Sequence, residues 1–182
     1  MKKILTLLTA LLMAVGLGLV VPGPASAAGP YCGLVWGSTA ERNAVMSSAT
    51  VTNVRTGQHY CFDRLVVDLN GAAGGYHVRY VSVVTEDGSG FPVPLRGGAF
   101  LQITVNAPSY DGSGNATYTP ANKRELQNVS GYQTFRQVAS AGSYEGYTNI
   151  GLGVRARLPF RVFTLDGPGS GSRLVVDVAH FW

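Results

Sequence analysis

The chain has 182 residues, of which 46% are hydrophobic and 13% charged, and its formal net charge is +4. This length fits a single domain that can bury one proper core. The charge excess is too small to indicate a nucleic-acid partner, although a local arginine cluster could still bind an acidic polymer.

Residues 1–27 have the features of a signal peptide. A basic start is followed by an apolar run (Ile4–Val21), a Pro-Gly-Pro break and an Ala-Ser-Ala that ends at Ala27. We therefore predict a secreted, extracellular protein whose mature domain spans 28–182. Loss of the two N-terminal lysines would lower the net charge from +4 to +2. An uncleaved membrane anchor is the alternative, because the apolar run is long; no other membrane contact is expected.

Cys32 and Cys61 are the two cysteines of the chain. In an exported protein such a pair predicts a disulfide, with a reactive thiol or a metal pair as the alternative. In the chain-entropy model, closing this loop would stabilise the fold by roughly 3–4 kcal/mol. The predicted bond fastens the N-terminal segment to the start of the first core strand.

Strand patterns dominate the remainder of the chain. Short apolar or alternating runs are separated by turns rich in glycine, asparagine and aspartate, with no room for crossover helices. This organisation predicts a single antiparallel all-β sandwich of about eight strands. The predicted strands are 49–57, 63–69, 76–84, 99–105, 134–140, 147–154, 159–165 and 172–178. The best helical candidate, Ala121–Val129, is short and polar.

The pentapeptide Arg-Leu-Val-Val-Asp occurs twice, at 64–68 and at 173–177. Strand alternation places its arginine and aspartate on one face, separated by a valine. Such a pair contains no activated nucleophile, whereas charges at both ends of a buried strand suit cross-strand partners. We therefore predict a duplicated structural device in a pseudo-symmetric sheet, with a binding role as the alternative. Its charged members are Arg64, Asp68, Arg173 and Asp177.

Several longer segments carry a resemblance to a known family. They are YCGLVWGS, HYCFDRLVVDLNG, GYHVRYV, DGSGFPVPLRGGAFLQITV, SYEGYTNIGLGVRARLPFRVFTL and RLVVDV, in this order. With them the chain resembles the AMIN-like domain proteins, small secreted proteins of actinomycete-type bacteria. The resemblance implies a relation to the AMIN domain of cell-wall amidases, a β-sandwich that targets its host to the envelope partly by contacting peptidoglycan. It supplies no catalytic residues. With no amidase domain or sorting motif in the chain, we expect the module to act alone or through a partner.

Arginines and tyrosines near the end of the chain form the first candidate binding site. Arg155 and Arg157 share one face of an extended segment, and Tyr144, Glu145 and Tyr147 lie just upstream. Guanidinium groups pair with carboxylate or phosphate, and tyrosine rings can stack on sugars, so these five residues are predicted to bind an anionic glycan. Alternatively, the arginines end a sheet and pair with acidic residues.

The segment 106–131 is long for a compact sandwich and is predicted to cover a sheet edge or to form one wall of a groove. Within it, Asp111–Asn115 imitates the opening of a calcium loop. Ala116 and Asn122 stand where such a loop has glycine and glutamate, so a polar hairpin tip is predicted instead. We expect no metal and no cofactor.

Enzyme signatures are sparse. The three histidines are dispersed, without metal-ligand spacing, and there is no nucleophile elbow; they are His59, His77 and His180. Two carboxylates for glycan cleavage could come from Glu145 with Glu86 or Asp87.

The sequence thus predicts a non-catalytic secreted or envelope module that contacts peptidoglycan, another cell-wall glycan or an envelope protein. One alternative is a secreted inhibitor with a protruding loop at 86–94. The other is a small glycan hydrolase.

Overall fold

The computed structural model describes residues 31–182; the predicted signal peptide and cleavage point lie outside this range. A 3-10 turn at Tyr31–Gly33 precedes the strands. The strands are β1 (Glu41–Asn43), β2 (Thr50–Gln58), β3 (Phe62–Asn70), β4 (Tyr76–Val81), β5 (Val84–Thr85), β6 (Pro92–Val93), β7 (Ala99–Val105), β8 (Phe135–Tyr144), β9 (Tyr147–Val154), β10 (Phe160–Asp166) and β11 (Ser172–Ala179).

Two large antiparallel sheets form the domain. One has the order β1-β4-β7-β9-β8 and the other β10-β11-β3-β2, while β5 and β6 form a separate hairpin. The predicted all-β sandwich is confirmed, and each of the eight predicted strands corresponds to one of the longer strands observed. The additional strands β1, β5 and β6 have two or three residues each. Ala121–Val129 forms no helix and consists of turns, bends and irregular backbone.

The core lies between the two sheets and follows strand alternation. In β7, Leu101, Ile103 and Val105 are buried, whereas Gln102 and Thr104 between them are partly exposed. Leu65 and Val67 of β3 point inward, opposite to their charged neighbours. Burial of each such side chain contributes about 1.5–3 kcal/mol relative to exposure, so the inward rows supply most of the driving force for folding.

The two copies of Arg-Leu-Val-Val-Asp lie side by side on β3 and β11. The strands run antiparallel, and the register places Arg64 opposite Asp177 and Asp68 opposite Arg173. Val66 lies opposite Val175, at the centre of this pseudo-twofold arrangement. The repeat is therefore a strand pair in which each copy is the direct neighbour of the other.

The Cys32–Cys61 disulfide predicted from the sequence is present, with 6.3 Å between the two Cα atoms. It joins the 3-10 turn to the residue just before β3. A further attachment is made by Gly37, whose N–H donates to the Phe160 carbonyl at 3.1 Å. Together these contacts hold the N-terminal segment against one end of the sandwich, called here the disulfide end.

The long segment 106–131 lies along the outer edge of β8. The Leu126 N–H donates to the Val138 carbonyl at 2.8 Å, and the Ser140 N–H donates to the Lys123 carbonyl at 2.7 Å. These bonds hold the stretch 121–129 in irregular backbone in place of its weak helical preference. The segment therefore covers a sheet edge, as its length predicted.

Candidate functional site

The five predicted ligand-binding residues do not form one site. Tyr144 and Tyr147 flank the turn between β8 and β9, and Arg155 and Arg157 follow the far end of β9. Strand β9 rises about 3.3 Å per residue, so roughly 23 Å separates its two ends. Residues that are neighbours in sequence are therefore placed at opposite ends of the sandwich.

Arg155 and Arg157 belong to the disulfide end, where each lies over an aromatic ring. The Arg155 guanidinium lies 5.8 Å from the centre of the Phe181 ring and donates to the His180 carbonyl. The Arg157 guanidinium lies 4.8 Å from the centre of the Tyr80 ring. Both side chains remain exposed. The Arg155 side chain fastens the C-terminal residues to the sandwich, whereas Arg157 Nη2 donates to the Ser38 carbonyl at 3.3 Å.

A groove lies at the other end, between the segment 106–131 and the β5–β6 hairpin. It consists of two adjoining cavities of about 350 and 540 Å³ that share Lys123, Ser140, Gly142 and Ser143. Three tyrosines contribute to its walls, and we call it the tyrosine groove. They are Tyr110, Tyr118 and Tyr144.

The floor of the tyrosine groove is a bulge in β8. The pairing with β9 shifts between Ser140 and Ser143, and Gly142 there has a φ of 90°. Glycine adopts this left-handed conformation without strain, and the small side chains leave the floor open. The Ser143 hydroxyl accepts from the Ser109 N–H at 2.9 Å and lies 2.8 Å from the Tyr147 carbonyl. The bulge is thus fastened to the long segment.

The tyrosine walls are held by contacts from neighbouring loops. The Tyr110 hydroxyl accepts from the Gly146 N–H at 3.1 Å, which links the long segment to the β8–β9 turn. Gly88 of the β5–β6 hairpin packs on the Tyr144 ring, where an added Cβ would lie 3.3 Å from the nearest ring atom. Tyr144 is nevertheless 51% exposed, so its ring is positioned and remains available to a ligand.

Charges of both signs line the larger cavity. Lys123 and Arg124 come from the long segment, and Glu86 and Asp87 come from the hairpin. The Asp87 N–H donates to the Ala141 carbonyl at 3.0 Å, which holds the hairpin against β8. A groove with aromatic rings, hydroxyls and mixed charge suits a polar ligand that carries both apolar faces and ionised groups.

Glu145 lies in the turn at a φ of 46° and does not line the groove. The carboxylate pairing of Glu145 with Glu86 or Asp87, considered for a hydrolase, is therefore not assembled around either cavity.

Asp111 forms the hairpin tip that was predicted in place of a calcium loop. Its Oδ1 accepts from the N–H groups of Ser113 and Asn115, each at 2.9 Å. Hydrogen bonds from Asn115 and from these backbone groups lower the pKa of the Asp111 carboxyl. Within residues 31–182, no group of three or more His, Cys, Asp and Glu side chains is placed to hold a metal ion.

A buried polar cluster connects both sheets near the disulfide end. Asp63 Oδ2 accepts from the N–H groups of Thr134 and Phe135 at 2.6 and 2.9 Å. Its Oδ1 lies 4.0 Å from His180 Nε2. Since that nitrogen is 3.0 Å from the His59 carbonyl, which can only accept, Nε2 carries a proton. The cluster is closed to solvent and holds the start of β8 to β3 and to the C-terminal residues.

Among known protein families, the AMIN-like domain matches the chain over residues 49–180. The chain belongs to the AMIN-like domain family. Domains of this family are generally non-catalytic binding modules. The match includes the tyrosine groove and both copies of the repeat, while Cys32 and β1 precede it. No curated protein and no solved structure matches the chain. Across residues 31–182, no helix is long and apolar enough to cross a membrane.

The sequence indicated Tyr144 and the segment 106–131 separately, and no pattern in it joined them into one groove. The unusual length of the segment 106–131 was the sequence feature that indicated a groove wall. Tyr110, Tyr118 and Lys123 lie within it, but the segment is attached by tertiary hydrogen bonds to β8 and to the β8–β9 turn, which no local pattern marks.

Proposed function

We propose that the protein is a secreted, non-catalytic module that binds peptidoglycan or a related cell-wall glycan in the tyrosine groove. The observation that carries the proposal is the set of three tyrosines around a floor of small residues. Membership of the AMIN-like domain family supports the ligand class. The signal-peptide pattern in residues 1–27 supports export.

The chemistry of the groove suits a glycan that bears peptides. Tyrosine rings present flat apolar surfaces with a polar edge, which match the apolar faces and hydroxyls of sugar rings. Lys123 and Arg124 offer partners for carboxylates, and Glu86 and Asp87 offer partners for ammonium groups or amide N–H donors. The mixed charge therefore favours peptidoglycan over a uniformly anionic polymer.

Co-sedimentation with purified insoluble peptidoglycan tests this proposal. The exported protein is mixed with peptidoglycan that retains or lacks its attached anionic polymers, over a salt series. We expect binding that survives polymer removal and that weakens about five- to tenfold in Tyr144→Ala, equivalent to ~1–1.4 kcal/mol. The matched control is Arg155→Ala/Arg157→Ala, which alters the opposite end and should bind normally.

Other outcomes would change the conclusion. Loss of binding in the arginine double variant, with Tyr144→Ala unaffected, would move the site to the disulfide end. Binding only to polymer-bearing wall, falling steeply with salt, would indicate recognition of anionic polymer by charge. Absence of sedimentation in every condition would overturn the proposal.

An envelope protein is the second candidate partner, and exposed apolar side chains at the disulfide end favour it. Tyr60 is 95% and Trp182 72% exposed. Aromatic residues at a surface are typical of protein contacts. Chemical cross-linking in the producing cells, compared between the wild type and Tyr60→Ser/Trp182→Ser, tests this candidate. A cross-linked species that persists unchanged in the variant would argue against this surface.

A further inference from the structure

The outer face of the β10-β11-β3-β2 sheet carries an ordered array of side chains. The register aligns them in three rows across the strands. The first row is Arg161, Asp177, Arg64 and Gly57; the second is Phe163, Val175, Val66 and Arg55; the third is Leu165, Arg173, Asp68 and Asn53. Four arginines and two aspartates therefore share this face.

The pseudo-twofold symmetry of the repeat predicts two equivalent arginine–aspartate pairs, Arg64–Asp177 and Arg173–Asp68. Within residues 31–182, the first pair forms and the second does not. Arg64 Nε and Nη2 donate to the two oxygens of Asp177 at 2.6 and 2.8 Å. Asp68, the equivalent of Asp177, is bound instead by Arg55, whose Nε and Nη2 donate to it at 2.7 and 2.8 Å. Arg55 lies on β2, outside the repeat, and it breaks the symmetry.

Arg173 is consequently left without a carboxylate partner among residues 31–182. Its Nη2 donates to the Asp166 backbone carbonyl at 2.9 Å. Its Nε is buried and has no hydrogen-bond partner within the described part of the chain. A buried N–H that lacks an acceptor is unfavourable, and a ligand oxygen that reaches it would remove that cost.

A cavity of about 260 Å³ lies where Arg55, Arg64 and Arg173 converge. Val66 and Val175 are buried side chains of its lining. Gly57 contributes no side chain, and a Cβ added there would lie 3.8 Å from His59 Nε2. The lining residues, all within 31–182, include no carboxylate; besides those named they are Thr56, His59 and Leu165. We call this cavity the arginine hollow. Apolar walls strengthen the attraction between its guanidinium groups and an anion.

Unused donors remain on all three arginines. Arg55 and Arg64 engage Nε and Nη2 with their aspartates, and no hydrogen bond from Nη1 is formed within residues 31–182. Arg173 has Nε and Nη1 unengaged in the same range. Donors from three separate guanidinium groups match the several oxygens of a tetrahedral phosphate better than the two coplanar oxygens of a carboxylate.

We propose that the arginine hollow is a binding site for a phosphate group, with Arg173 as its principal contact. The group could be presented by a phosphodiester-linked wall polymer or by free phosphate. This site lies on the outer face of one sheet and does not depend on glycan binding in the tyrosine groove.

Titration followed by the NMR signals of the arginine Nε–H groups tests the site directly. Inorganic phosphate is added to the exported protein at constant ionic strength, with sodium chloride as the reference titration. We expect saturable shifts of the Arg55, Arg64 and Arg173 signals with phosphate alone. Shifts that are absent, or that chloride reproduces equally, would overturn the proposal.

Single arginine substitutions test whether phosphate binds in the arginine hollow. Arg173→Gln removes the charge and should weaken phosphate binding by about tenfold or more. The matched control is Arg79→Gln, because Arg79 is an exposed arginine on β4 of the other sheet. Equal losses in the two variants would contradict a specific site. The wild-type titration requires no variant, so misfolding of Arg173→Gln would not leave the proposal untested.

A third titration distinguishes the two sources of phosphate. Soluble glycerol phosphodiester oligomers are compared with inorganic phosphate on the same signals. Tighter binding of the oligomers would assign the arginine hollow to a phosphodiester polymer, and binding of inorganic phosphate alone would assign it to the free anion. Failure of both probes would overturn the site while leaving the peptidoglycan experiment unaffected.

Discussion

Arg64 and Asp177 face each other on neighbouring strands, and the guanidinium group donates to both oxygens of the carboxylate. The Asp177 side chain has no exposed surface, whereas the Arg64 side chain is 25% exposed. Arg161 of β10 reaches the same carboxylate, with its Nη2 2.7 Å from Oδ2. One buried aspartate therefore connects β3, β10 and β11, and its charge is compensated by two arginines rather than by water.

Replacing this aspartate should destabilise the protein strongly. Asp177→Asn would leave two arginines over a buried amide, and we expect a loss of about 2–4 kcal/mol in the free energy of unfolding, reduced from the fully buried case by the partial exposure of both arginines. Urea denaturation measures this loss. Asp166→Asn, an exposed change at the end of β10, should fall within about 0.5 kcal/mol of the wild type. Comparable losses in the two variants would contradict the assignment.

Two substitutions of the buried Asp63 should separate the effect of losing its charge from the effect of losing a hydrogen-bond acceptor. Asp63→Asn keeps an oxygen for the N–H groups of Thr134 and Phe135, and we expect a loss of about 1–2 kcal/mol. Asp63→Ala leaves both groups without a partner, and we expect a loss of about 3 kcal/mol or more. Thermal unfolding of the two variants measures the difference. Equal losses would mean that the backbone bonds to Asp63 contribute little.

The Cys32–Cys61 bond should stabilise the fold by restricting the unfolded chain. The two cysteines are 29 residues apart, and we expect Cys32→Ser/Cys61→Ser to lose roughly 3–4 kcal/mol. Denaturation of the wild type with and without a reducing agent gives the same comparison without substitution. If the reduced wild type is as stable as the oxidised form, the bond does not have this role.

Glu41 should make stability depend on pH. Burial raises the pKa of its carboxyl above the usual 4.5, although the Val162 N–H opposes the shift. The folded state therefore holds this proton more tightly than the unfolded state, so this contribution to stability falls as pH rises through the range just above 4.5. Glu41→Gln should flatten the dependence of the unfolding free energy on pH in this range, as measured by urea denaturation at several pH values. If the slope of unfolding free energy against pH is unchanged in the variant, other groups control this dependence.

Gly88 should influence ligand binding through Tyr144. A side chain at Gly88 would press on the Tyr144 ring, so Gly88→Val is expected to weaken peptidoglycan binding about fivefold, or ~1 kcal/mol. Gly90→Val is the matched control, because Gly90 also has a positive φ but faces open space. Both variants carry similar backbone strain, and a difference in co-sedimentation reports on the groove alone. Equal binding by the two variants would remove Tyr144 from the site.

The strands could be predicted because apolar or alternating runs of six or more residues are bounded by turn-forming residues. Strands β1, β5 and β6 are too short for alternation to be recognised, and they form because longer neighbours or a turn position them. The irregular stretch around Leu126 was ambiguous for a related reason. Its hydrogen bonds to β8 are tertiary, and local preference contains no information about them.

The candidate sites depended on contacts between distant parts of the chain. Arg155 and Tyr147 are close in sequence, and the rigidity of β9 separates them. Arg173 and Asp177 were predicted as equivalents of Arg64 and Asp68, and the register agrees with this symmetry. That Arg173 has no carboxylate partner among residues 31–182 could not be predicted, because it depends on Arg55 of β2 binding Asp68.

The covering of β8 by the segment 106–131 also affects how copies of the protein meet. An uncovered strand at the edge of a sheet exposes backbone N–H and C=O groups that pair readily with a strand of another molecule. Hydrogen bonds at Val138 and Ser140 already use part of that edge. The segment that shapes the tyrosine groove thus also limits aggregation through this edge, which matters most when many copies are concentrated on one surface.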